Sequence, residues 1–200
     1  MDAVVSIIMS VAALEAFINE ASELADQHLA LGEAQGPTSV SEFASVSKLV
    51  EDHQGQVQLK YLLASKLLAG RMIDKGSSTY QNFDMLIRLR NELIHYKPAD
   101  RFVFSEETGH RVEHPNIVKK LRSKGITGIQ SDPVDGVSMA ASWVYIITTK
   151  AAARWACNTA GDIVWHILNS IPENKEPPPH MMGFKEKMES FYRRAFTHVT

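Results

Sequence analysis

Arg90, Asn91 and His95 bring a permanent cation, an amide and an imidazole into six residues of one sequence segment, 80–98. Histidine is the side chain whose ordinary titration lies near neutrality, so this set can move a proton beside a fixed positive charge. On a helical wheel of about 100° per residue, Phe83, Leu86, Ile87, Leu89, Leu93 and Ile94 fill one arc. Asp84, Arg88, Asn91, Glu92 and His95 fill the other. Arg90 falls in the apolar arc. A guanidinium there cannot be neutralised and must be paired or open onto an interface or cleft. Glu15 and Asn19, polar groups in an apolar stretch, are the expected partners.

Asn91 and His95 are four apart and share a face, so the amide can orient the imidazole. Arg90 and His95 are five apart, about 140° around the axis, and one ideal helix does not aim both at one atom. They converge if the last turn loosens before Pro98, or if two copies of the helix meet across a twofold axis. The spacing alone is weak, because Arg193 and His198 repeat it without the Asn or the apolar arc. A structural reading also exists: an arginine bridging helices and a histidine cation at a helix C-terminus.

The elements that must position these groups read as helices. Val4, Ile7, Val11, Leu14, Ile18, Ala21 and Ala25 predict a first helix over 3–30, with Val5, Ile8, Ala12 and Phe17 extending burial to a second side. A short helix follows within 38–54. The next, over 58–73, takes Leu59, Leu62, Leu63, Leu67 and Leu68 as its core stripe. Residues 74–78 form a turn, and the helix bearing Arg90 runs from there toward Pro98, which ends it. Residues 99–137 are a loop-rich insertion. Within it 102–104 either pair as a hairpin or pack as a loop, and Pro115 opens a basic helix to Lys124 that Gly125 ends. Lys119, Lys120, Arg122 and Lys124 are a solvated face or, beside the Arg90 helix, a contact for an RNA backbone. A last long helix spans 138–171, lined by Met139, Trp143, Ile146, Ile147, Ala151, Arg154, Trp155, Thr159, Ile163, Trp165 and Leu168, with a bend near Gly161. A proline-rich linker then leads to an amphipathic tail helix in 173–200 that docks on the body or on a partner. The expected fold is all-α: a helical bundle over 1–172 plus the tail.

Composition narrows the function. A net charge of −2 gives no global attraction to nucleic acid or membrane, so any polyanion site is a local patch. Cys157 is the single cysteine, which excludes an internal disulfide. The uncharged run 3–14 is too short to span a bilayer and has no basic segment before it, so the expectation is a cytoplasmic protein with no membrane partner. His110 and His114 have a helical metal-ligand spacing but lie among loop residues with no further ligands, so no metal site is expected. No phosphate loop, dinucleotide fingerprint or nucleophile elbow is present.

The segment Arg90-Asn91-Glu92-Leu93-Ile94-His95 resembles the Arg-x4–6-His motif of the HEPN family (higher eukaryotes and prokaryotes nucleotide-binding), in which a polar residue after the Arg is typical. The flanking 86–89 and 96–98, and 13–19 in the first helix, are similar to HEPN helices. The resemblance implies a four- to five-helix bundle, commonly a homodimer whose motif helices meet at the interface. It implies a metal-independent endoribonuclease with no cofactor, often a toxin or defence effector held by an antitoxin or other regulatory protein. RNA then supplies the 2′-OH nucleophile. His95 shuttles the proton, Arg90 stabilises phosphate charge, Asn91 fixes the imidazole or a phosphate oxygen, and Tyr96, Lys97 and Arg88 hold the backbone. DNA is not an expected substrate. The resemblance also implies an alternative, because some members are inactive and serve as protein- or nucleotide-binding modules.

Overall fold

The computed structural model describes residues 3–30, 39–53, 56–95, 101–105, 109–113, 115–127, 143–172 and 179–195. Among the described residues, eight helices and one hairpin occur in the order α1 (Ala3–Ala30), α2 (Ser39–Asp52), α3 (Val57–Leu68), α4 (Ser78–Ile94), β1 (Arg101–Ser105), β2 (Gly109–Glu113), α5 (Asn116–Ser123), α6 (Trp143–Ile147), α7 (Lys150–Ser170) and α8 (Pro179–Ala195). The fold is all-α, and the open choice at 102–104 resolves as a two-stranded antiparallel hairpin pairing Phe102 with Val112 and Phe104 with His110. The chain divides into two compact units. One comprises Met1–Val11 and Met85–Asn158, the other Ala12–Asp84 and Thr159–Thr200.

In the second unit, α1 buries Leu14, Ile18, Ala21 and Ala25 at helical spacing, joined by Phe17. Of the four residues predicted to extend burial to a second side, Phe17 is buried and Ile8 half-buried, while Val5 and Ala12 face solvent. The apolar stretch is longer than 3–14. By length and composition Ala3–Gln27 is able to cross a membrane, a test that the core helix of a soluble protein also passes.

Of the leucine stripe predicted for α3, Leu68 alone is buried. Leu59 is exposed and Leu62, Leu63 and Leu67 are half-buried, while Lys60, Tyr61, Ala64, Ser65 and Leu68 form the buried face. Small residues at 64 and 65 permit close packing, and two polar side chains use the interior for specific bonds. Tyr61 donates its hydroxyl to the Leu14 carbonyl at 3.1 Å, and its ring lies 5.0 Å from that of Phe83. Lys60, 7% exposed, donates to Asn19 Oδ1 at 2.8 Å and to Glu51 Oε2 at 3.2 Å, tying α1, α2 and α3 together. The helix stops at Leu68, short of the predicted 73, because Gly70 takes a left-handed φ of 73° that other residues rarely adopt.

Burial pushes the Tyr61 phenol well above its ordinary value. In the unfolded chain a tyrosine ionises near pH 10, whereas the native state holds this proton to higher pH. Above about pH 10 the native state therefore binds more protons, and stability falls as pH rises. Tyr61→Phe is expected to lose about 0.5–1.5 kcal/mol at neutral pH with its hydrogen bond. It is also expected to flatten the alkaline decline, as read by urea denaturation between about pH 8 and about pH 11.

The predicted single helix over 138–171 is two, and 138–142 lie outside the described residues. Thr149 caps α7: its Oγ1 accepts from the Ala152 N–H at 2.9 Å and donates to the Ile126 carbonyl at 2.8 Å. Thr148 turns back to the Val144 carbonyl at 2.8 Å. From there α7 runs without a helical break through a buried Gly161. Ala151 and Arg154, predicted to line the core, face solvent, and Ala152 and Ala156 are buried instead. The tail helix α8 buries Phe184, Met188 and Tyr192 within the second unit, and the Tyr192 ring stacks on Trp165 at 5.2 Å. Burial, aided by Asp162, raises the Tyr192 phenol from its ordinary value. Residues 173–178 of the predicted linker lie outside the described residues.

Candidate functional site

The turn before α4 fixes where the helix begins. Asp74 Oδ1 accepts from the Gly76 N–H at 2.8 Å, and its carbonyl accepts from the Ser77 hydroxyl at 2.6 Å. Ser77 Oγ then accepts from the Tyr80 N–H at 3.3 Å, satisfying one of the free donors of the first turn. From this start, Phe83, Met85, Leu86, Ile87 and Leu89 are buried at helical spacing. Their burial sets the rotation of everything that follows.

The last turn leaves the core. Arg90 and Leu93 are half-buried; Arg88, Asn91, Glu92 and His95 are exposed, and Ile94 is 51% exposed. The apolar arc drawn through Leu93 and Ile94 thus ends in solvent one turn before the sequence pattern does. Helical structure stops at Ile94, and the His95 N–H donates to the Asn91 carbonyl at 2.9 Å. Tyr96, Lys97 and Pro98 lie outside the described residues.

Within the first unit the structure brings Arg90 and Asn91 together: Nη1 donates to Asn91 Oδ1 at 3.1 Å. Asn91 is therefore engaged with the guanidinium, where the sequence reading gave it to the imidazole. The His95 ring makes no hydrogen bond with another described residue. The contact ties the half-buried guanidinium to the exposed Asn91 amide, and the His95 side chain is exposed. A cation, an amide and an unencumbered imidazole at one helix end can hold an anionic oxygen and exchange a proton beside it.

Glu15 and Asn19 belong to the second unit. Glu15 is half-buried, and Asn19 Oδ1 is taken by Lys60 at 2.8 Å, an assignment not anticipated from the sequence. The signal available was a lysine beside Tyr61 on what proved to be the buried face of α3. Arg193 is exposed on α8, and His198 lies outside the described residues. His110 sits in strand β2, so a helical ligand spacing to His114 does not apply. Among the described residues no three His, Cys, Asp or Glu side chains gather as metal ligands. Cys157 is half-buried, 3.7 Å from the Ser10 hydroxyl.

Comparison with models of known protein families, with curated proteins and with solved structures gave no match for this chain.

Proposed function

We propose that this protein is a metal-independent endoribonuclease of the HEPN type that acts as a homodimer. The observation that carries the reading is the Arg90–Asn91 contact of 3.1 Å at the solvent-facing end of α4, with the exposed His95 one turn further on. In the reaction the ribose 2′-oxygen attacks the adjacent phosphorus and gives up its proton to a base. The P–O5′ bond breaks, the departing 5′-oxygen takes a proton, and a 2′,3′-cyclic phosphate remains. His95 moves one of these protons and Arg90 neutralises charge on the non-bridging oxygens. No cofactor is required, because RNA brings its own nucleophile.

Arg90 and His95 of one helix diverge by about 140°. Two copies of α4 meeting across a twofold axis let the Arg of one face the His of the other. Val5 (51%), Met9 (59%) and Ile94, all in the first unit, are apolar surface that a second copy would cover. Tyr96, Lys97 and Arg88 flank the site to hold the RNA strand. The setting in this reading is cytoplasmic, with an antitoxin or other regulatory protein as partner and neither DNA nor membrane as target.

A second reading has an observation of its own. Asn91 accepts from Arg90, and among the described residues no side chain bonds the exposed His95 imidazole. That favours an inactive HEPN-like dimer that binds a protein or nucleotide at this helix end. The two readings part on a substrate change. Purified protein with EDTA present is expected to cut single-stranded RNA into products ending in 2′,3′-cyclic phosphate, and to leave the 2′-O-methyl form of the same strand intact. Equal cutting of both strands contradicts 2′-OH attack, and no cutting of either favours the binding module.

A further inference from the structure

Charge is distributed unevenly between the two units. The unit holding Arg90 and His95 has eleven Lys and Arg against eight Asp and Glu, and the other has ten against fifteen. The positive excess concentrates on α5. Val118 and Leu121 are buried and anchor the helix, while Lys119, Lys120, Arg122 and Lys124 are all exposed. Residues 115–127 contain no acidic side chain. The side chains of Lys119, Lys120 and Lys124 make no hydrogen bond or ion pair with another described residue. Lys119 to Lys124 rises about 7.5 Å along the helix, enough to touch more than one phosphate of an extended strand.

A second feature lies beside this helix. The short helix α6 packs on α5, and the Thr149 hydroxyl that follows α6 bonds to the Ile126 carbonyl just after α5 at 2.8 Å. While Trp143, Ile146 and Ile147 of α6 are buried, Tyr145 is 75% exposed. A large aromatic ring left in water, on a helix packed against the one that carries the lysines, is poorly explained as packing. Single-stranded nucleic acid is bound by this combination of cations for phosphates and a ring face for a base. An acidic protein would use the lysines but has no need of the ring.

We infer that α5 and Tyr145 form a binding surface for single-stranded RNA, with Lys119, Lys120 and Lys124 on phosphates and the Tyr145 ring stacked on a base. The choice of RNA rests on the proposed function, because the surface would deliver the strand to the unit that holds Arg90 and His95. The test uses the full chain and a fluorescein-labelled 2′-O-methyl oligouridine, which lacks the nucleophile and stays intact, with binding read by anisotropy over a salt series.

Wild type is expected to bind. The Lys119→Gln/Lys120→Gln/Lys124→Gln variant is expected to bind more weakly, with a slope of log affinity against log salt shallower by about 2. Tyr145→Ala is expected to lose about 5- to 100-fold in affinity with the salt slope unchanged, while Tyr145→Phe binds like wild type. Unchanged melting temperatures confirm that these exposed substitutions leave the fold intact. Wild-type affinity in both the triple variant and Tyr145→Ala overturns the inference, as does absence of binding by wild type. Displacement of the strand by polyglutamate, with Tyr145→Ala without effect, also overturns it and assigns the surface to an acidic protein. The catalytic reading fails separately. Weakened binding in these variants without any RNA cleavage by wild type leaves the surface standing and removes the nuclease. His95-dependent cleavage with unchanged binding does the reverse.

Discussion

Phe83→Ala is expected to destabilise the protein by about 3–5 kcal/mol, the range for emptying a fully buried aromatic site. Phe83 has no exposed surface. Its ring meets Tyr61 at 5.0 Å and Tyr80 at 6.0 Å, in tilted and edge-on arrangements that favour aromatic pairs. Tyr61 is itself held by its bond to the Leu14 carbonyl, so its ring cannot swing freely into the space left behind. The loss is a large part of the roughly 5–15 kcal/mol that stabilises a typical domain. Urea denaturation would register it as a lower midpoint with an unchanged slope. A loss below about 1 kcal/mol would mean that the ring cluster is loosely packed and does not set the rotation of α4.

How far the sequence revealed this arrangement depended on whether local or distant groups decided each feature. The main buried stripe of α1 and the start of α4 were readable, because an apolar repeat and the Asp74, Gly76 and Ser77 turn act within a few residues. The end of α5 was equally local: Gly125 adopts a φ of 69°, and the Ile126 N–H closes on the Leu121 carbonyl at 3.1 Å. In α3 both candidate faces have helical spacing. Leucine content pointed to one, and tertiary bonds from Lys60 and Tyr61 selected the other. The break between α6 and α7 has a local cap in Thr149, but its bond to Ile126, 23 residues away, has no local signature.

At the candidate site the same division holds. The wheel placed Arg90 within the apolar arc and His95 outside it, and Arg90 is half-buried where His95 is exposed. A wheel carries no information on where a core ends, so the emergence of Ile94 into solvent was not readable. Neither was the partner of Asn91, because Arg90 and His95 lie on either side of it and only side-chain geometry chooses between them.

The other large effect concerns His95. A positioned general acid or base contributes about 10²- to 10⁴-fold to rate, so His95→Ala should lower RNA cleavage by that factor. His95 is exposed and lies just beyond the last helical residue of α4. Exposed substitutions of this kind change stability by about 0.5 kcal/mol or less. A large fall in rate would therefore report chemistry, whereas a core variant such as Phe83→Ala lowers rate through unfolding.

The direct test is a side-by-side measurement of wild type and His95→Ala on one single-stranded RNA with EDTA present, with matched melting temperatures. The proposed function predicts wild-type cleavage to 2′,3′-cyclic phosphate ends and a rate at least about 100-fold lower for the variant. Cleavage at equal rates by the two proteins would contradict it.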